Sequence, residues 1–357
     1  MRAMRIVLAG LAAAVLAVGS ASADAPVKGT PEWKSAGPIA FGPDGLLFLA
    51  DTKGAAILAV DLGDKKAQSE GASLKVDAVN EKAAELLGTT PDKIVINDLA
   101  VNPSSGRAYL SVTRGKGGDA SPALVRIEKD GKLQLVSLTD VTYSKAELSN
   151  APASGNARNE VITDLAYVDG RVFVAGLSNE EFSSRMLAIP FPFADSAQGT
   201  SVEIYHGAHG RFETKSPIRT FVPYQIKGES YLLAAYTCTP LVKIPVSQMK
   251  AGSHLKGTTI AELGNRNRPL DMITYTKGGK GYLLLANSSR GVMKIPTEGA
   301  DKVAAISKPV KDKEGLGYET LANLKGVEQL DKLDDTHALI LVKTPAGIMN
   351  LETIELP

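Results

Sequence analysis

The chain has 357 residues, with 40 Lys and Arg set against 39 Asp and Glu, and its basic residues are scattered along the sequence. This balance excludes the basic stripe or patch that binding to nucleic acid or to an anionic membrane surface needs. The only cysteine, Cys238, excludes an intramolecular disulfide.

The N-terminal segment has the layout of a secretory signal. Arg2 and Arg5 precede an apolar stretch over residues 6–18, and Ala21-Ser22-Ala23 fits the small-residue cleavage rule. About 13 apolar residues are too few for a membrane span, which needs roughly 20. We therefore predict a signal peptide at 1–23 and a mature chain, 24–357, that is periplasmic or secreted and has no membrane span.

A repeated column of hydroxyl residues indicates the fold. Six apolar strands each end in a Ser or Thr, which we term a pivot, at intervals of 61, 65, 59, 51 and 56 residues. The six pivots are Thr52, Thr113, Ser178, Thr237, Ser288 and Thr344. Each repeat reads as a short strand, a tight turn, a buried strand, the pivot and another strand, which is typical of a blade in a radial array. We predict an all-β, six-bladed β-propeller that forms a single domain over 24–357.

The predicted blades follow the chain in order. They span residues 37–62, 97–138, 161–193, 218–246, 269–297 and 327–356. Between the first two, Val79, Ala83, Leu86 and Leu87 recur at helical spacing before Gly88, which predicts a short helical insertion after blade one. We expect residues 26–34 to pair with blade six and close the ring, because an open propeller would leave two bare edges. The pivots and the links between blades should share one face, on which we expect the chemistry.

The first candidate site is a pair of histidines in the link before blade four. His206 and His209 lie three residues apart between glycines, and Cys238 directly follows the pivot of blade four. Two imidazoles and a thiolate suit copper, and also zinc with water in the fourth position. We therefore predict a metal site at His206, His209 and Cys238, with copper preferred over zinc. The alternatives are a buried inert cysteine beside a structural histidine pair, and nucleophilic catalysis by Cys and His.

The second candidate is a group of arginines on the same face. Arg266 and Arg268 lie in the link into blade five, and Arg290 follows the pivot of that blade. Guanidinium groups suit carboxylate or phosphate. These residues predict a rim that binds a small anionic ligand, or a clamp that pairs with acidic residues between blades.

The third candidate is a set of carboxylates at the start of the innermost strands. Asp98, Asp164 and Asp271 occupy this position in three blades, and we expect Glu328 to occupy it in blade six. A ring of carboxylates at the channel could bind Ca²⁺, with Asp51 and Asn287 as further oxygen donors. Alternatively, each Asp bonds the backbone of a neighbouring blade.

The stretches FGPDGLLFLAD and INDLAVNPSSGRAYLSV resemble the NHL and gluconolactonase-like (SMP-30-like) group of six-bladed propellers. The stretches EIYHGAHG, AAYTCTPLV, GNRNRPLDM and ANSSRGVMKIP are similar to exported bacterial propellers without an assigned activity. The first resemblance implies a divalent ion in the channel, held at Asp98, Asp271 and Asn287. The Glu expected of that group at the start of blade one is replaced by Pro38 and Ile39.

Three functions follow from these residues. The leading one is a periplasmic propeller that binds copper or zinc at the His/His/Cys site, with or without redox chemistry. The second is a lactonase-like hydrolase that depends on a divalent cation such as calcium. The third is a scaffold that binds a partner protein on the pivot face without catalysis. The sequence leaves open whether the protein is an enzyme.

Overall fold

The computed structural model describes residues 26–65, 73–193, 199–238 and 240–357. Their strands form six separate sheets, the blades of a propeller, and the first strands of neighbouring blades contact each other around the central channel. This confirms the predicted fold class. The signal predicted at 1–23 lies outside the described residues.

The first three blades have four or five antiparallel strands each, in the following order from the channel outwards. Blade one contains Ile39–Phe41, Leu47–Asp51, Ala56–Asp61, Val141–Glu147 and Val27–Gly29. Blade two contains Ile94–Val101, Ala108–Arg114, Ser121–Ile127 and Leu133–Val136. Blade three contains Asp164–Val168, Arg171–Leu177, Ser184–Pro190, Thr200–His206 and Arg211–Glu213, and His254–Lys256 pairs in parallel with its fourth strand.

The other three blades follow the same plan. Blade four contains Ile218–Ile226, Glu229–Tyr236, Pro240–Pro245, Thr258–Leu263 and Lys313–Gly315. Blade five contains Pro269–Lys277, Lys280–Asn287, Gly291–Pro296 and Glu319–Leu321. Blade six contains Val327–Lys332, His337–Lys343, Met349–Glu355 and Lys75–Val76.

Two α-helices connect these strands among the described residues. Val79–Leu86 is the predicted insertion after blade one, and it buries Val79, Ala83 and Ala84 against blades two and six. Gly155–Asn159 leads into blade three. Neither helix is long enough, or apolar enough, to cross a bilayer, and the same holds for every helix in the described part of the chain.

The order of the blades around the ring differs from their order along the chain. Six apolar clusters join blades one and three, three and four, four and five, five and six, six and two, and two and one. Blade one therefore lies between blades two and three. The chain leaves blade one after four of its strands, builds blade two on the side away from blade three, and returns to insert Val141–Glu147 between Ala56–Asp61 and Val27–Gly29 of blade one.

This route corrects the predicted closure of the ring. Val27–Gly29 does not pair with blade six but with Val141–Glu147, at the outer edge of blade one. The fourth strand of blade six is instead Lys75–Val76, which lies between blades one and two in sequence. Lys75–Val76 thus covers the outer edge of blade six, where residues 26–34 were expected. Val76 is buried at this edge together with Leu351.

All six pivots occupy equivalent places. Each lies at the end of the second strand of its blade or in the residue that follows it. Because strands alternate in direction within an antiparallel blade, the end of the fourth strand shares the pivot face. The turns between first and second strands lie on the opposite, turn face.

Candidate functional site

The histidine pair lies on a tight hairpin at the outer edge of blade three. His206 ends the fourth strand, and Arg211–Glu213 pairs back on that strand with His206 opposite Arg211. A single 3₁₀ turn, Gly207–His209, connects them. The hairpin lies on the pivot face, as the sequence predicted.

Two glycines allow this turn to form. Gly210 has φ of 64°, in the left-handed region that favours glycine. A Cβ on Gly207 would lie 2.9 Å from Val310 Cγ2 and 3.0 Å from Glu262 Oε1. The turn can therefore pack closely against blade four and against the segment that connects the third and fourth strands of blade five.

One carboxylate holds both imidazoles. His206 Nδ1 lies 3.0 Å from Glu213 Oε2, and His209 Nδ1 lies 2.6 Å from Glu213 Oε1. The two imidazole centroids are 3.9 Å apart. Burial alone would raise the pKa of Glu213, but hydrogen bonds from His206, Ser216 and His209 outweigh it and hold that pKa well below its usual range. Glu213 is therefore ionised beside both rings.

Within the described part of the chain, these three residues are the one group of His, Cys, Asp or Glu side chains whose potential ligand atoms all lie within 4.8 Å of each other. Cys238 does not belong to this group. Its backbone N–H donates to Asn267 O at 2.9 Å, which ties the pivot of blade four to the link into blade five. The structure thus brings the two predicted histidines together, with Glu213 in the place expected for Cys238.

A second carboxylate approaches the turn from blade four. Glu262 is buried, and its Oε1 accepts a hydrogen bond of 2.5 Å from Gly207 N. Burial raises the pKa of Glu262, while the Gly207 bond and the nearby His206 partly offset that rise. Sequence reasoning missed both glutamates, because their contacts with the turn arise only when the hairpin folds back and the blades pack.

The three predicted arginines lie on two segments that hydrogen-bond each other, 265–268 and 288–290. Arg290 lies over Gly264 and donates to Asn265 O at 3.1 Å. Arg266 is exposed, with a left-handed backbone at φ of 58°. Burial and the charge of Arg219 lower the pKa of Arg268, and the charge of Glu160 partly offsets them, so Arg268 lies near both residues.

The channel contains the predicted carboxylates. Asp98, Asp164 and Asp271 line a cavity of about 670 Å³ that extends along the first strands towards the turn face. Asp331 is the fourth acidic residue deep in this channel. Each Asp accepts the N–H of the next residue and an N–H of a neighbouring blade: Ile39 for Asp98, Phe221 for Asp164, Leu330 for Asp271 and Val101 for Asp331.

Two predictions about these oxygen donors need correction. In blade six the first strand has Gln329 just after its bulge, where blades two and five have Asp98 and Asp271. Glu328 lies nearer the pivot face and pairs with Lys343 at 3.4 Å. Asn287 does not line the cavity, because its amide donates to Asn267 Oδ1 at 2.8 Å and its Oδ1 accepts from the backbone of Ser289. The set Asp98, Asp271 and Asn287 therefore does not converge.

No family model matches this chain, and no curated protein matches it. Three solved structures are similar to it at low identity. The PQQ-bound aldose sugar dehydrogenase of Streptomyces coelicolor is 11% identical, with 92% of this chain and 96% of that chain covered and a TM-score of 0.34. A putative oxidoreductase (glucose dehydrogenase) of Thermus thermophilus is 12% identical, with 92% and 99% covered and a TM-score of 0.36. An engineered GH43 glycoside hydrolase is 10% identical, with 71% and 48% covered and a TM-score of 0.35.

Proposed function

We propose that this protein is an exported propeller that binds a divalent transition-metal ion at the hairpin of blade three. The observation that carries the proposal is the pair of imidazoles held 3.9 Å apart by one ionised carboxylate. Each Nδ1 faces Glu213, which leaves each Nε2 as the ligand atom. A carboxylate on the distal ring nitrogen is the usual way in which proteins orient a metal-binding histidine.

The donor set suits both zinc and copper. The copper preference predicted from sequence depended on the Cys238 thiolate, which is absent from the group. Imidazole nitrogens are common zinc ligands, and they also suit Cu²⁺. His209 is 44% exposed, so the outer side of the ion is open to water or to a small ligand.

The test is metal analysis of the full chain, exported and purified without added metal, followed by calorimetric titration with Zn²⁺ and Cu²⁺. We expect close to one bound ion per chain, and loss of binding in His206→Ala and His209→Ala. His254→Ala and His337→Ala are matched controls, because His254 bonds Ser201 and His337 bonds Asp334. Wild-type protein that neither carries metal nor binds it at micromolar concentration would overturn the proposal.

The variant Cys238→Ala tests whether Cys238 is a metal ligand, as in the predicted His/His/Cys site. We expect it to bind metal with unchanged affinity and stoichiometry, since Glu213 and not Cys238 contacts the imidazoles. Loss of binding in Cys238→Ala would restore the thiolate to the donor set.

We also propose that a small anion binds on the pivot face at a site that consists of Arg219 and Arg268. Arg219 Nη1 bonds Glu160 Oε1 at 2.7 Å, and the charge of Arg219 lowers the pKa of Arg268, so an anion would be a favourable partner for both guanidinium groups. Inorganic phosphate should stabilise the wild type against heat, and Arg268→Gln should remove that effect while Arg266→Gln keeps it. Equal stabilisation by phosphate in the wild type, Arg268→Gln and Arg266→Gln would refute this anion-binding site.

A further inference from the structure

A small cavity on the pivot face is lined by the pivots of blades one and two, Thr52 and Thr113. Its volume is about 240 Å³, below the roughly 300 to 1,000 Å³ of pockets for drug-sized ligands, so it suits a molecule of a few carbon atoms. Eight of its ten lining residues are polar, and none of the described residues that line it is acidic. Its chemistry therefore differs from that of the channel, whose lining is rich in aspartate.

Cationic groups surround this cavity. Lys34 and Lys53 line it, and Arg158 donates a hydrogen bond to Lys53 O. Lys34 pairs with Glu32 at 3.4 Å, but both side chains are more than half exposed, and such a pair contributes little. Lys53 has no carboxylate within 4.0 Å of its ammonium group in the described part of the chain. The charge of the cavity thus favours an anion as its ligand.

A buried aspartate fixes the two segments that carry the lysines. Asp51 Oδ2 accepts from Lys34 N at 2.9 Å, and Asp51 Oδ1 accepts from Ser35 Oγ at 3.0 Å. Ser35 Oγ in turn accepts from Lys53 N at 2.8 Å. Asp51 is 2% exposed and does not line the cavity, so it orders both lysine backbones without adding a negative charge to the lining. A site that is ordered before binding loses less entropy when a ligand binds.

Unused hydrogen-bonding groups lie beside the lysines. No hydrogen bond among the described residues involves the side chain of Thr52 or that of Asn159, and both residues line the cavity. Thr113 Oγ1 accepts from Asn97 Nδ2 at 2.9 Å, so the hydroxyl proton of Thr113 and the Oδ1 of Asn97 remain available. Hydroxyl and carboxamide groups both donate and accept hydrogen bonds, as the hydroxyl groups of a ligand require.

We propose that this cavity binds a small polyhydroxy carboxylate. The ammonium groups of Lys34 and Lys53 bind the carboxylate, and the threonine hydroxyls and asparagine amides of the lining bind the hydroxyl groups. The site shares no residue with the histidine hairpin or with the arginine pair, so it depends on neither of those proposals.

The test is a ligand-observed NMR titration of the purified full chain with three compounds that each have three carbon atoms. Glycerate has a carboxylate and two hydroxyl groups, propionate has only the carboxylate, and glycerol has only hydroxyl groups. We expect glycerate to bind roughly 10-fold or more tightly than either of the others, because it alone engages both kinds of group.

Two variants separate the contributions of charge and hydroxyl groups. Lys53→Gln should weaken glycerate and propionate by a similar factor and leave glycerol unchanged. Thr52→Val removes a hydroxyl with little change of shape, and it should weaken glycerate and leave propionate unchanged. Lys28→Gln is the matched control, because it removes the same charge from the outer strand of blade one, where Lys28 pairs with Asp140, and it should keep the wild-type affinity. Circular dichroism verifies that each variant is folded.

Equal binding of glycerate and propionate would refute the contacts with ligand hydroxyl groups, and equal binding of glycerate and glycerol would refute the contact with the carboxylate. Glycerate affinity that is unchanged in both Lys53→Gln and Thr52→Val would place the ligand outside this cavity. Wild-type protein that does not bind glycerate at about 10 mM would overturn the proposal.

Discussion

At the scale of single residues, Asp64 shows how one buried carboxylate fixes two blades. It follows the third strand of blade one and accepts hydrogen bonds from the first hairpin of blade two, through Ser105 Oγ at 2.7 Å, Tyr109 OH at 2.7 Å and Arg107 Nη1 at 2.5 Å. Burial would raise the pKa of Asp64, but these bonds and the charge of Arg107 lower it. Asp64 therefore stays ionised at neutral pH.

Asp64→Asn should reduce the free energy of unfolding by about 2 to 4 kcal/mol at pH 7, because it leaves Arg107 paired with Glu128 alone and gives Tyr109 a poorer acceptor. Urea unfolding followed by circular dichroism measures the change. Asp61→Asn is the control, since Asp61 pairs with Lys65 at the surface and should cost no more than about 0.5 kcal/mol. Equal effects of the two substitutions would contradict the assigned role of Asp64.

At the scale of elements, the strand Lys75–Val76 is short but closes the ring. Leu74 N donates to Thr353 Oγ1 at 2.9 Å, and Ala78 N donates to Asn350 Oδ1 at 2.9 Å, so side chains of blade six hold both ends. Val76 is buried among residues of blades two and six, whereas Lys75 is exposed. The strand therefore acts through one apolar side chain and a few backbone contacts.

Val76→Asp should destabilise the protein by more than about 3 kcal/mol, because it places an unpaired carboxylate in the apolar cluster between blades two and six. Thermal unfolding measures the loss. Lys75→Ala, in the same strand, should change stability by less than about 0.5 kcal/mol. A Val76→Asp protein as stable as Lys75→Ala would show that the ring does not depend on this closure.

At the scale of the whole molecule, the four channel aspartates join four of the six blade interfaces. Burial raises the pKa of Asp164 to about 7 and that of Asp331 to about 6. Burial and the negative charge of their neighbours raise the pKa values of Asp98 and Asp271 well above the usual range. The carboxylates that hydrogen-bond neighbouring blades therefore lie in surroundings that disfavour their ionised form.

The pH dependence of stability follows from the number of protons that the folded and unfolded states bind. The folded state binds more protons than the unfolded state between the unfolded pKa, about 3.9, and the raised folded values. Stability from these groups is complete below pH 4 and is lost as pH rises through 6 to 7. We expect the free energy of unfolding to fall by roughly a few kcal/mol between pH 4.5 and 8.

Urea titrations at fixed pH measure that slope. Asp164→Asn should flatten the part of the slope near pH 7, and Asp140→Asn, at an exposed ion pair with Lys28, should leave it unchanged. Stability that rises across this range in the wild type would contradict the assigned proton binding. Measuring above pH 4.5 keeps Asp64 and Glu213 ionised, because their pKa values are lowered.

The local repeat can be read directly from the amino-acid sequence. Strand, turn, buried strand and pivot recur because each blade must bury the same apolar faces, and that pattern is periodic in the chain. It predicted the six blades, the helix at Val79–Leu86 and the placement of His206 on the pivot face. It also singled out Asp98, Asp164 and Asp271, because each stands in register with the repeat.

The order of the blades and the composition of the site arise only when distant parts of the chain pack together. Lys75–Val76 and Val141–Glu147 pair with strands that lie far away in sequence, and nothing in either short strand specifies which partner it joins. Asp331 takes its place in the channel two residues beyond the repeat position, which Gln329 holds. Glu213 contacts His206 only after the hairpin folds back, and Glu262 contacts Gly207 only after blades three and four pack. Such contacts depend on three-dimensional packing and not on spacing in the chain.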